Sequence, residues 1–69
     1  MLTRREEQIM ELVIRGLTIA EISKILFISE STVVTHKENI QEKLHAKNSC
    51  HAVFLYTTQK ILQGKILNF

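Results

Sequence analysis

Apolar residues recur at helical spacing along most of the chain, and short polar motifs mark where each helical segment begins. The first motif is a capping box, Thr3-Arg4-Arg5-Glu6. In such a box the threonine hydroxyl accepts a hydrogen bond from the glutamate backbone amide, and the glutamate side chain accepts one from the threonine backbone amide. Ile9, Leu12 and Val13 follow on one face. Gly16 is the residue that most easily adopts a left-handed helix cap. The pattern therefore predicts a first helix that starts at this box and stops at Gly16.

A second capping box, Thr18-Ile19-Ala20-Glu21, follows two residues later. The apolar stripe behind it consists of Ile22, Ile25 and Leu26. It predicts a second helix of about eight residues, too short to be stable alone. Phe27-Ile28-Ser29 then interrupts the pattern, and Ser29 is a strong N-cap for a third helix.

The third helix is predicted from about Glu30 to Leu44, with a narrow apolar face. Val33, Ile40 and Leu44 fall within a small arc when successive residues are placed 100° apart. The opposite side is expected to face outward and consists of Val34, Thr35, Glu38, Asn39 and Glu42.

A fourth helix is predicted from about Ser49 to Leu62, with Asn48 as its N-cap and Gly64 as its end. Four helices joined by short turns account for almost the whole chain, which predicts an all-α fold. Residues 1–64 then form one domain, and residues 65–69 form a short C-terminal tail.

Composition narrows the classes of protein that this pattern allows. The chain has 69 residues, a net charge of +2, no proline and no aspartate. A domain of this size forms one small core without a deep substrate cavity, and no nucleophile motif or glycine-rich phosphate loop is present. We therefore expect a protein that is not an enzyme and that takes no cofactor and no small-molecule substrate.

Its single cysteine excludes an internal disulfide framework. His45, Cys50 and His51 are residue types that can bind a metal ion. They are divided between a turn and the start of a helix, and the sequence offers no fourth ligand near them, so we expect no metal site. The charged N-terminus and the lack of an apolar run of roughly 20 residues predict a soluble, cytoplasmic protein without membrane contact.

A short helix, a tight turn and a longer helix with a thin core face form the helix-turn-helix arrangement. Over residues 2–64 the chain resembles the LuxR-type (NarL/FixJ/GerE-like) C-terminal helix-turn-helix DNA-binding domain. The resemblance rests on an ordered set of fragments: Leu2-Thr3-x-Arg5-Glu6, Gly16-Leu17-Thr18, Glu21-Ile22, Ile28-Ser29-x-x-Thr32-Val33-x-x-His36, Asn39-Ile40-x-x-Lys43-Leu44, and Lys47-Asn48 leading to Ala52-Val53.

The resemblance implies a four-helix domain of a bacterial transcription regulator that binds double-stranded promoter DNA. It places the third helix in the major groove and much of a dimer interface on the fourth. Ser31 and Thr32 would then contact phosphates, where helix amides favour an anion. Most relatives carry a receiver or ligand-binding domain before this one, so a stand-alone regulator and the C-terminal piece of a larger one both remain open. RNA polymerase is a further expected partner.

The sequence departs from the family at two positions that are often basic, because it has Val34 and Glu38 there. Base readout must use other chemistry. Val34 and the methyl group of Thr35 can pack on a thymine methyl, Glu38 can accept from cytosine N4 or stay solvated, and Asn39 can pair with adenine.

Phosphate contacts are also fewer than in the family, because Ala20 stands where relatives often have lysine. The lysines that remain to hold the DNA backbone are Lys24, Lys37, Lys43 and Lys47, and Lys43 matches the family position best. The chain lacks the basic residues that relatives often have at positions 20, 34 and 38 for contact with DNA. An alternative interpretation is therefore a helical protein–protein interaction module that no longer binds DNA.

The fourth helix is apolar on two sides. Its predicted buried stripe consists of Ala52, Leu55, Tyr56 and Leu62. The second strip consists of Cys50, Val53, Phe54, Thr57 and Ile61. A helix with two apolar sides usually has a second partner, so we expect a homodimer interface there, as the family implies. The alternative is that Phe54 or Ile61 packs under the C-terminal tail.

Overall fold

The computed structural model describes residues 1–62, which form four helices. Their bounds are α1 Arg4–Ile14, α2 Ile19–Leu26, α3 Glu30–Leu44 and α4 Ser49–Leu62. The predicted all-α class and the predicted order of helices are confirmed. Gly64, expected to end the fourth helix, and the predicted tail at 65–69 lie outside the described residues.

The predicted N-terminal caps form in the structure. In the first capping box the Thr3 amide donates to Glu6 Oε1 at 2.8 Å and the Glu6 amide donates to Thr3 Oγ1 at 3.2 Å. Thr18 and Glu21 repeat both bonds at 2.8 and 3.2 Å. Polar side chains three residues apart therefore start both helices as the sequence pattern indicated.

The next two helices are capped by single side chains. Ser29 Oγ accepts from the Thr32 amide at 3.1 Å at the start of α3. Asn48 Oδ1 accepts from the His51 amide at 2.8 Å at the start of α4. The turn between α2 and α3 is thus closed on its C-terminal side by the predicted serine.

The helix ends use a left-handed residue in three places. Gly16 has a φ of 88°, and the Leu17 amide donates to the Leu12 carbonyl at 3.2 Å, which satisfies a carbonyl of the last turn of α1. Phe27 and His45 end α2 and α3 with φ values of 57° and 56°. The sequence predicted Gly16 in this role and predicted neither of the other two.

α3 lies at the centre of the domain and packs against each of the other three helices. The buried core consists of Ile9, Met10, Ile22, Val33, Ile40, Ala52 and Tyr56. Because Val33 and Ile40 are completely buried, the narrow apolar face predicted for α3 is the face that enters the core.

Two residues predicted in buried stripes are exposed instead. Ile25 is 50% exposed and Leu62 is 81% exposed. At about 100° per residue, Leu62 lies about 120° around α4 from the buried Tyr56, and Ile25 lies beyond the edge of the side that buries Ile22 and Ser23. Ser23 tolerates burial because its hydroxyl donates to the Ala20 carbonyl at 2.8 Å.

Candidate nucleic-acid interface

The outer face of α3 brings together five of the predicted DNA-binding residues, with Glu42 beside them. It is opposite the buried face and is built of exposed side chains. Its members are Ser31, Val34, Thr35, Glu38, Asn39 and Glu42. A helix anchored on one side by Val33 and Ile40 thus presents a continuous polar and small-apolar surface on the other.

The N-terminus of α3 carries three hydroxyl groups within hydrogen-bonding distance. Ser29 Oγ lies 2.7 Å from Thr32 Oγ1 and 3.1 Å from Ser31 Oγ. The first amides of a helix have no partner within it, and the helix dipole makes this end positive. Ser31 and Thr32 lie at this end of α3, where the amides that Ser29 does not bond favour an anion.

Thr35, near the middle of the outer face, has its hydroxyl group turned toward its own helix. Its Oγ1 donates to the Ser31 carbonyl at 3.0 Å. This bond uses the one proton that the hydroxyl can donate, so toward a ligand the side chain presents its γ-methyl group and an oxygen that can only accept. The side chain therefore offers an apolar contact rather than a hydrogen-bond donor.

Lys43 takes part in an ion pair that the sequence did not reveal. Its Nζ lies 2.8 Å from Glu6 Oε1, the same oxygen that accepts from the Thr3 amide. The Glu6 residue is 3% exposed, whereas the Lys43 side chain is partly exposed. The pair ties the C-terminal half of α3 to the first turn of α1 and leaves Lys43 with further N–H groups for solvent or a phosphate.

The surroundings of Glu6 favour its charged form. Burial raises the pKa of Glu6, but the hydrogen bonds from Lys43 and Thr3 and the positive charge of Lys43 outweigh it. The pKa of Glu6 consequently lies below its ordinary value of 4.5. The carboxylate is charged at neutral pH and is matched by the ammonium group.

The other predicted lysines differ in their surroundings. Lys37 is half-buried and lines a small apolar crevice with Met10, Val13 and Val53. Lys24 is exposed at the end of α2, and Lys47 is exposed in the turn before α4. In α3, which is described in full, the exposed outer face carries two carboxylates and no cation, so positive charge flanks this face rather than covering it.

The predicted strip on α4 is largely free of the domain's own core. Cys50, Phe54 and Ile61 are exposed, and Phe54 is 64% exposed. Thr57 is half-buried, and Val53 packs against the edge of the core. The structure therefore brings the strip together on one side of α4, with Val53 as its border with the core.

The opposite side of α4 contacts α1 through a hydrogen bond and an ion pair. The Tyr56 hydroxyl donates to Glu11 Oε2 at 2.7 Å, and Lys60 Nζ lies 5.2 Å from the centre of the Tyr56 ring and 3.7 Å from Glu7 Oε2. Burial and the neighbouring carboxylates raise the pKa of Tyr56, so the hydroxyl stays protonated and donates. These contacts set which side of α4 faces solvent.

Two other kinds of site are absent from residues 1–62. No group of three His, Cys, Asp or Glu side chains in that stretch is arranged to hold a metal ion. None of its helices has the length and apolar content needed to cross a bilayer.

Comparison with known families settles the class of this helix-turn-helix. Residues 1–56 match the family of bacterial regulatory proteins of the luxR type. The chain belongs to the LuxR family. The match includes all of α3, so the helix with the exposed outer face lies within the family's regulatory domain. Members of this family are transcription regulators with a DNA-binding helix-turn-helix domain, which is not an enzyme class.

Named relatives of this LuxR-family domain differ greatly in length. It is 43% identical over 53 residues to the spore germination protein GerE of Bacillus subtilis, covering 77% of this chain and 72% of GerE. It is 43% identical over 54 residues to the regulatory protein SdiA of Escherichia coli, covering 72% of this chain and 22% of SdiA. It is 38% identical over 65 residues to the transcriptional activator LuxR of Aliivibrio fischeri, covering 94% of this chain and 24% of that protein. The chain thus spans most of GerE but less than a quarter of the other two.

Proposed function

We propose that this LuxR-family domain binds specific promoter DNA as a homodimer, with α3 in the major groove and α4 at the dimer interface. The observation that supports the proposal is the difference in burial between the two sides of α3. One side is completely buried through Val33 and Ile40, and the other is exposed over most of the helix. A helix held in this way is rigid enough to present base-reading side chains.

The roles of the side chains follow from their places on α3. Ser31 and Thr32 bind phosphate at the helix N-terminus, and Lys24, Lys37, Lys43 and Lys47 hold the DNA backbone from the flanks. The residues that read bases are Val34, Thr35, Glu38 and Asn39. The bound dimer then meets RNA polymerase at the promoter.

The α4 strip supports the dimeric form. An exposed phenylalanine in line with Cys50, Thr57 and Ile61 is costly to leave in water and is covered when two copies pair. A two-fold dimer places two α3 helices in successive major grooves, with half-sites roughly ten base pairs apart.

The test is selection from random duplex DNA with purified, reduced protein at two salt concentrations. We expect an enriched inverted repeat and an affinity that falls by about 0.9 log units per log unit of salt for each phosphate neutralised. Lys47→Ala should weaken binding to all sequences, whereas Thr35→Ala should alter preference at particular base pairs. Lys47 is the better probe than Lys43, because Lys43 also holds Glu6.

A second candidate function is a protein-interaction module, and the two exposed carboxylates on the outer face of α3 favour it. Glu38 and Glu42 repel phosphate unless a base or a cation satisfies them. Folded protein that enriches no sequence at low salt, or binding that hardly responds to salt, would support this module and contradict the DNA-binding proposal.

A further inference from the structure

We propose that Val34 and Thr35 form a reader of thymine 5-methyl groups, so that the recognised half-site carries thymines at two base pairs. The inference rests on the proposed DNA-binding function and adds the chemistry by which its central contact is made. It concerns what these two side chains present to the groove.

The state of the Thr35 hydroxyl is the first observation. Its proton goes to the Ser31 carbonyl at 3.0 Å, within the same helix. A threonine that is bonded in this way has no proton to give to the acceptor O4 of thymine or O6 and N7 of guanine, so its contact with thymine is made by the methyl group. The bond also holds the side chain in one rotamer, so the position of the methyl group is set before DNA arrives.

Val34 supplies the second apolar group. It is exposed and adjacent to Thr35 on the outer side of α3. A β-branched side chain in a helix strongly prefers one rotamer, so its methyl groups are also fixed in advance. Consecutive residues of an α-helix are only about 1.5 Å apart along its axis, and their side chains diverge by about 100°, so Val34 and Thr35 reach different base pairs of one half-site.

The outer face of α3 carries no cation, which disfavours guanine as the base that it reads. Guanine is read by arginine or lysine donating to O6 and N7, and neither residue lies on this exposed face. Lys37 is half-buried beside Met10 and Val13, and Lys43 is bonded to Glu6. At Val34 and Thr35 the base-specific interaction on offer is thus apolar contact with thymine, beside the polar groups of Glu38 and Asn39.

The experiment replaces thymine by deoxyuridine, which lacks only the 5-methyl group, one position at a time in the selected half-site. Binding is measured by fluorescence anisotropy at one fixed salt concentration. We expect deoxyuridine to weaken binding about fourfold at each of two positions, the effect of one buried methyl group. Thr35→Ser keeps the hydroxyl and should abolish the effect at one of them, and Val34→Ala should abolish it at the other.

Thr58→Ser is the matched control, because the Thr58 hydroxyl donates to the Phe54 carbonyl at 2.7 Å in the same manner on α4. This variant should keep the full response to deoxyuridine. If the wild-type protein bound duplexes with thymine and with deoxyuridine equally well at every position, the thymine-methyl proposal would be wrong, although the DNA-binding proposal would remain. Persistence of both effects in Thr35→Ser and Val34→Ala would contradict the thymine-methyl proposal too. Failure to enrich any duplex would remove the proposed function and the reader together.

Discussion

At the scale of single residues, Glu6 and Lys43 show which contacts a sequence reveals. The capping bond between Thr3 and Glu6 spans three residues, so its partners could be predicted from local spacing. The ion pair between Glu6 and Lys43 spans 37 residues and depends on how α1 and α3 cross. Lys43 was therefore assigned to phosphate on the family pattern alone, and its internal partner was missed.

Glu6→Gln should destabilise the domain by about 0.5–1 kcal/mol, because it removes the negative charge from an ion pair whose lysine side chain is 37% exposed and stays solvated. Gln can still cap the Thr3 amide, so the loss reports the ion pair. The measurement is urea unfolding at neutral pH. Glu21→Gln is the control, since Glu21 forms the same capping box at an exposed site. An equal loss in both variants would assign the effect to capping.

The same pair predicts an acid response. The folded-state pKa of Glu6 is lowered below the ordinary 4.5, so its stabilisation is present above that value and is lost as the pH falls through the folded-state pKa. The difference in unfolding free energy between wild type and Glu6→Gln should therefore be constant near neutrality and shrink in acid. A difference that persists at low pH would contradict this assignment.

At the scale of helices, starts were easier to predict than ends. Thr3, Thr18 and Ser29 are strong N-caps by residue type alone, and all three accept the expected amide. Phe27 and His45 adopt a left-handed backbone; histidine is somewhat enriched in this region, but nothing in the chemistry of phenylalanine favours it. The next helix must leave in a new direction at these points, and tertiary packing imposes that conformation.

Phe27→Gly should stabilise the domain by about 0.5–1 kcal/mol, because glycine adopts the left-handed region without the steric cost that phenylalanine carries. Little packing is lost, since Phe27 is 93% exposed. The converse variant, Gly16→Ala, should destabilise by about 1 kcal/mol through backbone strain alone, because an added Cβ meets nothing within 4 Å. Urea midpoints measure both changes. Destabilisation by Phe27→Gly would reveal a contact of the ring that offsets the strain.

At the scale of the whole molecule, helical periodicity predicted the four segments because it depends on local spacing. The rotation of each helix about its axis was harder to predict. Neighbouring helices decide it, which is why Ile25 and Leu62 were expected in the core and are exposed. For the candidate site, the outer face of α3 could be predicted because the core face is so narrow. The Thr35 rotamer could not, because a threonine in a helix adopts either of two rotamers.

The last prediction concerns assembly through α4. Phe54→Ser should leave the unfolding free energy of the isolated protomer nearly unchanged, because the ring is 64% exposed. A two-fold interface contains the change twice, so the dimer dissociation constant should rise about a hundredfold, roughly tenfold for each buried ring lost. Sedimentation velocity over a range of concentrations measures this shift. Leu62→Ser is the control, since Leu62 is 81% exposed on a different side of the same helix.

DNA binding by Phe54→Ser separates assembly from base reading. Affinity for a duplex with one half-site should match that of the wild type, because α3 and its flanking lysines are untouched. Affinity for the inverted repeat should fall, because the second half-site is no longer presented at a high effective concentration. If Phe54→Ser lowered both affinities equally, or left both unchanged, α4 would not be the interface. The two half-sites would then be read by protomers that bind independently or pair through another surface.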